Sequence, residues 1–354
     1  MRITANQVSF SRILFLPIPC VLLYGGPGSQ FAAVLLFIAL GITDYVDGYL
    51  ARRYGSTEFG KFLDPVSDKI FITALFLPLL DLKYFPVWPV VLLFCREFLV
   101  TDLRSIYNMT GASFTTSRIA KLKTNVQVFG AVIAILLVLA EGTLLMHLAL
   151  GAVVVGLLVW TVIAIVRKGK AHFYLASALV LFVVAFLTRA FGTVWSTNYL
   201  MAVVVMGFTV YSGGEYFWGG RAELRRYVAA DPFRRSSMLL VNGVAVPTLF
   251  VLIAALGIGP AWVPITILSL EFVSGGVDNF LSMHKIDYSW WWKSIKLVGQ
   301  LSTGLIALIA CLGTGDACGL SWMLYISLAL TLVYTLIYTA RHTKRLVAGS
   351  KATG

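Results

Sequence analysis

Asp44-Tyr45-Val46-Asp47-Gly48-Tyr49-Leu50-Ala51-Arg52, then seven residues, then Gly60-Lys61-Phe62-Leu63-Asp64-Pro65-Val66-Ser67-Asp68: the reading of this chain turns on that stretch. The whole chain carries 16 carboxylates, and four of them fall here. Asp44 and Asp47 are three residues apart and Asp64 and Asp68 four apart, so in helices each pair shares one face. The first pair closes an apolar run over 31–51 and the second opens another over 66–82. The short connection between the runs can bring the pairs together.

The rest of the chain says what kind of helices these are. Hydrophobic residues make up 59% of it and charged residues 12%, with a mean hydropathy of +0.86. A soluble domain has about 45–50% apolar and about 25% charged residues. A transmembrane helix needs about 20 mostly apolar residues. The charged and Gly/Pro-rich breaks leave twelve candidate spans, at 8–24, 31–51, 66–82, 85–106, 124–141, 144–166, 173–191, 197–218, 237–257, 260–282, 294–313 and 319–340. The fold expected is therefore all-α and polytopic. The first span is read as a helix rather than a leader, because no cleavage-like site follows it.

The net charge of +12 is not a nucleic-acid footprint. Of 28 Lys and Arg residues, only Lys83 and Arg189 fall in the odd-numbered connections. Cytoplasmic loops carry the basic excess, so both termini are expected in the cytoplasm. A basic rim also favours anionic membrane lipids. The cysteines and histidines are scattered without metal-ligand spacing.

Acidic groups within a membrane are costly and are functional by default. Four of them in one place repel, and divalent cations relieve that repulsion. Hard oxygen donors suit Mg²⁺, Mn²⁺ or Ca²⁺, and Mg²⁺ is commonly shared between carboxylates and substrate phosphates. Gly48 and Gly60 remove side chains beside the acids, so a nucleotide could approach the backbone closely.

The stretch resembles the signature of the CDP-alcohol phosphatidyltransferase family: D-x2-D-G-x2-A-R, a spacer, then G-x3-D-x3-D. Every fixed position is present. The resemblance implies a six-helix module, a pair of Mg²⁺ or Mn²⁺ ions and displacement of CMP by an alcohol. By it, Asp44, Asp47, Asp64 and Asp68 face the metals and Asp68 is the general base. Asn6, Asp44, Gly48, Ala51, Arg52 and Gly60 would line the nucleotide site.

Two further stretches bear on the alcohol. They are Arg96-Glu97-Phe98-Leu99-Val100-Thr101-Asp102-Leu103-Arg104, and Ser117-Arg118-Ile119-Ala120-Lys121-Leu122-Lys123-Thr124 followed by Gln127. Arg96, Arg118, Lys121 and Lys123 offer cationic donors that suit a phosphate on the acceptor. With Asn6 and Arg12, these stretches are similar to the phosphatidylglycerophosphate synthase branch. That branch joins CDP-diacylglycerol to glycerol 3-phosphate, and the likeness implies the inner membrane of a bacterium with the site on the cytoplasmic side. Asp102 departs from the branch, where a small residue is usual. Inositol phosphate is the nearest competing acceptor. A secondary transporter using the acids for coupling ions is the alternative from another class, disfavoured because the acids lie at the boundary rather than the midplane.

The basic break Arg167-Lys168-Gly169-Lys170 divides the chain into a catalytic module, 1–170, and a second six-helix module, 171–354. The second has the look of a degenerate repeat. Asn242-Gly243-Val244 echoes Asn6-Gln7-Val8, Val277–Leu281 echoes Val46–Leu50, and Lys296 and Gln300 echo Lys123 and Gln127. In that register Gly275 stands for Asp44, and nothing stands for Asp64 or Asp68. The two modules would pair internally, or the chain would form a homo-oligomer. Tyr211–Phe217, however, resembles the end of the family's last helix, which would make spans 7 and 8 an insertion.

Overall fold

In the computed structural model the quoted stretch lies on two helices joined by a tight connection, at one end of an all-helical bundle. The structure describes residues 4–55, 57–111, 118–139, 151, 154–163, 173–286, 290–314 and 321–348. The helices are α1 (Ala5–Phe15), α2 (Pro17–Leu22), α3 (Pro27–Tyr54), α4 (Glu58–Asp81), α5 (Val87–Thr110) and α6 (Arg118–Leu139). They continue with α7 (Val154–Ile163), α8 (Phe173–Phe191), α9 (Val194–Gly219), α10 (Arg221–Ala229) and α11 (Pro232–Leu240). A π-helical turn (Val241–Ala245) leads into α12 (Val246–Leu256), and α13 (Trp262–Met283), α14 (Trp290–Thr314) and α15 (Trp322–Ala348) complete the chain.

Local chemistry sets the ends that matter for the site. Thr4 and Gln7 form a reciprocal cap on α1. Thr57 caps α4 by accepting the Gly60 N–H at 2.9 Å. Gly111, at φ +76°, ends α5 in the left-handed region. The two exceptions to the charge asymmetry close helix ends. Lys83 donates to the Ala255 carbonyl at the end of α12, and Arg189 donates to the Gly192 carbonyl at 2.9 Å.

Seven described segments are long and apolar enough to cross a membrane: Ala5–Leu22, Pro27–Tyr54, Leu122–Leu139, Val194–Gly219, Pro232–Leu256, Trp291–Gly313 and Trp322–His342. That is fewer than the twelve expected. Helices α4, α5 and α13 have the length but are diluted by buried polar groups, among them Ser67, Arg96, Glu97, Glu271 and Asp278. Apolar helices at Val154–Ile163 and Ser177–Phe191 are shorter.

Helices on the two sides of residue 170 pack on one another. Helix α9 lies along both α5 and α6, and α8 covers α6 and α9. The first bundle is therefore α1–α6 with α9. Its polar seam is Glu97, which accepts from Lys123 at 2.5 Å and Gln127 at 3.4 Å, while Gln127 donates on to Thr209 at 3.2 Å.

The same seam recurs in α13–α15. Glu271 accepts from Lys296 at 2.5 Å and Gln300 at 2.6 Å, and Gln300 donates to Thr331 at 2.7 Å. Two turns further on, Arg104 donates to Tyr216 at 3.1 Å in the first unit, and Tyr338 donates to Asp278 at 2.6 Å in the second. Thus α5, α6 and α9 correspond to α13, α14 and α15. The packing partners agree: α4 packs on α13 as α12 packs on α5. Equivalent residues meet at the centre, where the Phe98 and Phe272 rings stack 4.1 Å apart. This is the arrangement expected around a two-fold axis.

That register corrects part of the repeat expected from sequence. Lys296 and Gln300 do correspond to Lys123 and Gln127. Helix α13 corresponds to α5, however, not to the helix of Asp44 and Asp47. Asp278 stands opposite the place of Arg104, and Gly275 that of Thr101. Short runs of small and apolar residues look alike in any membrane helix, and only the side-chain partners fix which one is equivalent. Among the described residues, α1–α3 have no counterpart in the second unit.

Candidate active site

Helix α1 packs into the angle between α3 and α4 and brings two side chains to the acids. The Arg12 guanidinium donates to Asp47 at 2.6 Å, Asp68 at 3.0 Å and Asp44 at 3.2 Å. Its Nε donates to Thr43 Oγ1 at 3.1 Å. The Ser9 hydroxyl lies 2.9 Å from Asp47 and 3.0 Å from Asp64. All four carboxylates from the quoted stretch thus converge, two from α3 and two from α4. Arg12 and Asp47 are buried, whereas the side chains of Asp44 and Asp68 are 53% and 42% exposed.

Four carboxylates around one guanidinium leave a formal excess of three negative charges. The donor set is entirely hard oxygen, and the exposed pair opens to one side. Both properties fit divalent cations that also take ligands from a phosphate. Among the described residues no ready-made cage of three ligands exists. Arg12 fills the centre, and its hydrogen bonds turn the carboxylate oxygens inward.

The residues expected at the nucleotide lie beside this cluster. Asn6 and Thr57 are hydrogen-bonded at 2.9 Å across the α1–α4 gap. A Cβ on Gly60 would stand 2.7 Å from Asn6 Oδ1, so this glycine is what lets α1 and α4 approach. Gly48, Ala51 and Arg52 follow along α3, with Arg52 exposed and its guanidinium nearest Gly48.

On the other side of α4 is a cavity of about 200 Å³, bounded by α4, α5, α6 and α9. Asp68 lies on its wall, together with Lys69, Arg96, Glu97, Arg104, Lys123, Ser212 and Tyr216. Glu97 is a buried counter-ion there, holding Arg96 at 3.1 Å and Lys123 at 2.5 Å. Arg96 also donates to Ser212 at 2.6 Å. Its stem lies against Gly213, where a Cβ would come within 2.7 Å. Lys69 donates to the Thr101 hydroxyl and Arg104 to Tyr216. Neither has a carboxylate within ion-pair distance among the described residues. Four basic side chains against Glu97 and the rim carboxylate Asp68 leave this cavity with a basic excess.

The structure places Arg96 and Lys123 on one cavity wall, and both are tied to Glu97. The side chains of Arg118 and Lys121 lie outside the described residues. Sequence reading gave no role to Ser9, Lys69 or Arg104 and none in the acid cluster to Arg12. Arg12 had a usable signal, a charge inside an apolar run. Lys69 and Arg104 are indistinguishable by sequence from ordinary positive-side anchors. Asp102 is explained as well. It does not face that cavity; it accepts from Asn242 Nδ2 at 2.7 and 2.8 Å and lies 3.8 Å from Lys293 Nζ. Its partners are in the second half of the chain, which accounts for a carboxylate where a small residue was expected.

Comparison with known proteins gives the following. The family model described as CDP-alcohol phosphatidyltransferase matches residues 2–160. A Rickettsia typhi protein named CDP-diacylglycerol--glycerol-3-phosphate 3-phosphatidyltransferase is 37% identical over 138 residues, covering 38% of this chain and 78% of the relative. A Bacillus subtilis protein of the same name is 35% identical over 146 residues, covering 37% and 75%. A Mycobacterium tuberculosis protein named as a probable phosphatidylglycerophosphate synthase is 39% identical over 128 residues, covering 35% and 61%. No solved structure matches the chain.

Proposed function

We propose a function from one premise: this chain belongs to the CDP-alcohol phosphatidyltransferase family. It transfers a phosphatidyl group from CDP-diacylglycerol to sn-glycerol 3-phosphate, forming phosphatidylglycerophosphate and releasing CMP. The names of its relatives support that reading. The observation that carries it is the position of Asp68, which belongs at once to the acidic cluster and to the wall of the cationic cavity.

In this reading the acceptor phosphate sits among Lys69, Arg96, Arg104 and Lys123. Charge-assisted hydrogen bonds hold it with its free hydroxyl toward Asp68. Asp68 takes the hydroxyl proton as that oxygen bonds to the phosphorus bearing diacylglycerol, and the bond from that phosphorus to the CMP oxygen breaks. The family works with a divalent metal, and Asp44, Asp47, Asp64 and Asp68 would hold two Mg²⁺ or Mn²⁺ ions. Bound there, such ions would supply positive charge to the diphosphate and the departing CMP. Asn6, Gly48, Ala51, Arg52 and Gly60 border the nucleotide, and the Arg12 guanidinium and Ser9 hydroxyl keep the acids in register. Most of the rate comes from positioning and charge stabilisation.

We divide the chain by packing. Helices α1–α6 and α9 form the catalytic unit, α7 and α8 are an insertion, and α12–α15 occupy the place of a partner subunit without catalytic acids. The helices make twelve crossings, with both termini and the acids on the cytoplasmic side of a bacterial inner membrane. The test is CMP release by the purified chain with glycerol 3-phosphate, inositol 1-phosphate, glycerol, serine and choline. Release should require glycerol 3-phosphate and a divalent cation and stop with EDTA. A preference for inositol 1-phosphate would overturn the acceptor. No metal-dependent release with any of the five would overturn the transferase reading.

A further inference from the structure

The second unit carries a groove, between α14 and α15, that shares a few equivalent positions with the polar cavity of the first. In the first unit Lys123 and Tyr216 line a partly polar space bounded by α4, α5, α6 and α9. Their counterparts Lys296 and Tyr338 line a groove of about 480 Å³ between α14 and α15. In the first unit α3 packs on α6. No described helix plays that part for α14, so the groove opens outward. Ile295, Val333 and Ile337 on its walls are 60%, 55% and 53% exposed, as suits contact with acyl chains.

The groove is not uniformly apolar. At the end shared by the start of α14 and the end of α15 it carries Trp292 and Arg341. The Arg341 guanidinium lies 5.9 Å from the Trp292 ring centroid and has no carboxylate within ion-pair distance among the described residues. Lys296, deeper in, is already neutralised by Glu271 at 2.5 Å and lies over the Tyr334 ring. Tryptophan and arginine at the mouth of an apolar groove mark the head-group level of a membrane. A guanidinium there complements a phosphate.

We infer that the α14–α15 groove binds one anionic phospholipid, its acyl chain along Ile295, Val333 and Ile337 and its head group on Arg341 beside Trp292. The site is separate from the acid cluster, and the inference does not depend on the proposed transfer reaction.

The test uses the full-length purified chain in detergent micelles and follows tryptophan fluorescence. Phosphatidylglycerol and phosphatidylcholine carrying brominated acyl chains are the two probes. The Trp292→Phe variant identifies the part of the quenching that arises in the groove. Brominated phosphatidylglycerol should quench that part at a concentration about fivefold lower than phosphatidylcholine, the advantage expected of one cation at a head group. Arg341→Gln should remove the advantage and Arg341→Lys should keep most of it, with CMP release unchanged in both as a check of folding. Equal quenching by the two lipids would overturn the inference, as would a preference that survives Arg341→Gln. Greater quenching by free brominated fatty acid than by either phospholipid would assign the groove to a single chain and overturn it too.

Discussion

A single guanidinium cannot neutralise four carboxylates, and that imbalance makes the acid cluster behave as a site. Removing Arg12 leaves the buried Asp47 without its ion-pair partner, a change that costs about 3 kcal/mol. Arg12→Met should therefore lower the thermal midpoint in EDTA, and millimolar Mg²⁺ should recover part of the loss. A midpoint unchanged in EDTA would contradict the central place of Arg12. Asp64→Asn should fold and lose roughly three orders of magnitude in CMP release, since metal charge stabilisation is worth several kcal/mol. Near-normal release would remove Asp64 from the ligand set. In the neighbouring cavity, Lys69→Met and Arg104→Gln each delete one charge-assisted hydrogen bond, worth about 1.5–3 kcal/mol. Each should raise the KM for glycerol 3-phosphate by roughly ten- to a hundredfold and leave that for CDP-diacylglycerol within about twofold. Equal changes in both constants would make these residues structural. The acids were legible from sequence because carboxylates are rare in so apolar a chain and their spacing matches helix geometry. Lys69 and Arg104 were not, because topology alone places basic residues on that side of a membrane.

Helix α5 serves two faces. Arg96, Glu97 and Arg104 border the basic cavity, while Asp102 reaches the other way to Asn242 and Lys293. Lys293 is itself bound to Asp278 at 2.7 Å, so one polar chain runs from α5 into α13 and α14. Asp102→Ala leaves the Asn242 amide and part of the lysine charge unpaired inside the protein. It should lower stability by about 1–3 kcal/mol, and with Asn242→Leu the double mutant should lose less than the sum of the singles. Strict additivity in thermal denaturation would mean that the two side chains are not coupled. The membership of α9 in the first bundle was half legible. Its Tyr211–Phe217 stretch resembled the family's last helix, but the intervening α7 and α8 hid the continuity, and a basic break at 167–170 looked like a boundary. The register of the repeat was legible only at Lys296 and Gln300, where polar residues at fixed spacing outweigh the sameness of apolar helices.

The whole molecule holds two unequal halves around a pseudo-axis, so cutting it tests the division. A fragment ending at residue 170 lacks α9 and with it Thr209, Ser212 and Tyr216. It should fail to give a stable, active protein even when residues 171–354 are supplied. A cut between α9 and α10, co-expressing 1–220 with 221–354, should restore CMP release. Activity from 1–170 alone would overturn the packing division. The intact chain should be a monomer by light scattering corrected for detergent, because α4 and α5 are already covered by α13 and α12. The covered face carries a further consequence. In a pair of identical subunits every substitution is made twice, once on each side of the axis. Asp102 could not exist in such a pair. Its copy would stand where Gly276 now stands, and even a Cβ at that position would run into Val66 and the Phe62 ring. Within one chain the two sides of the interface need not be self-complementary: one side carries an acid and the other a glycine.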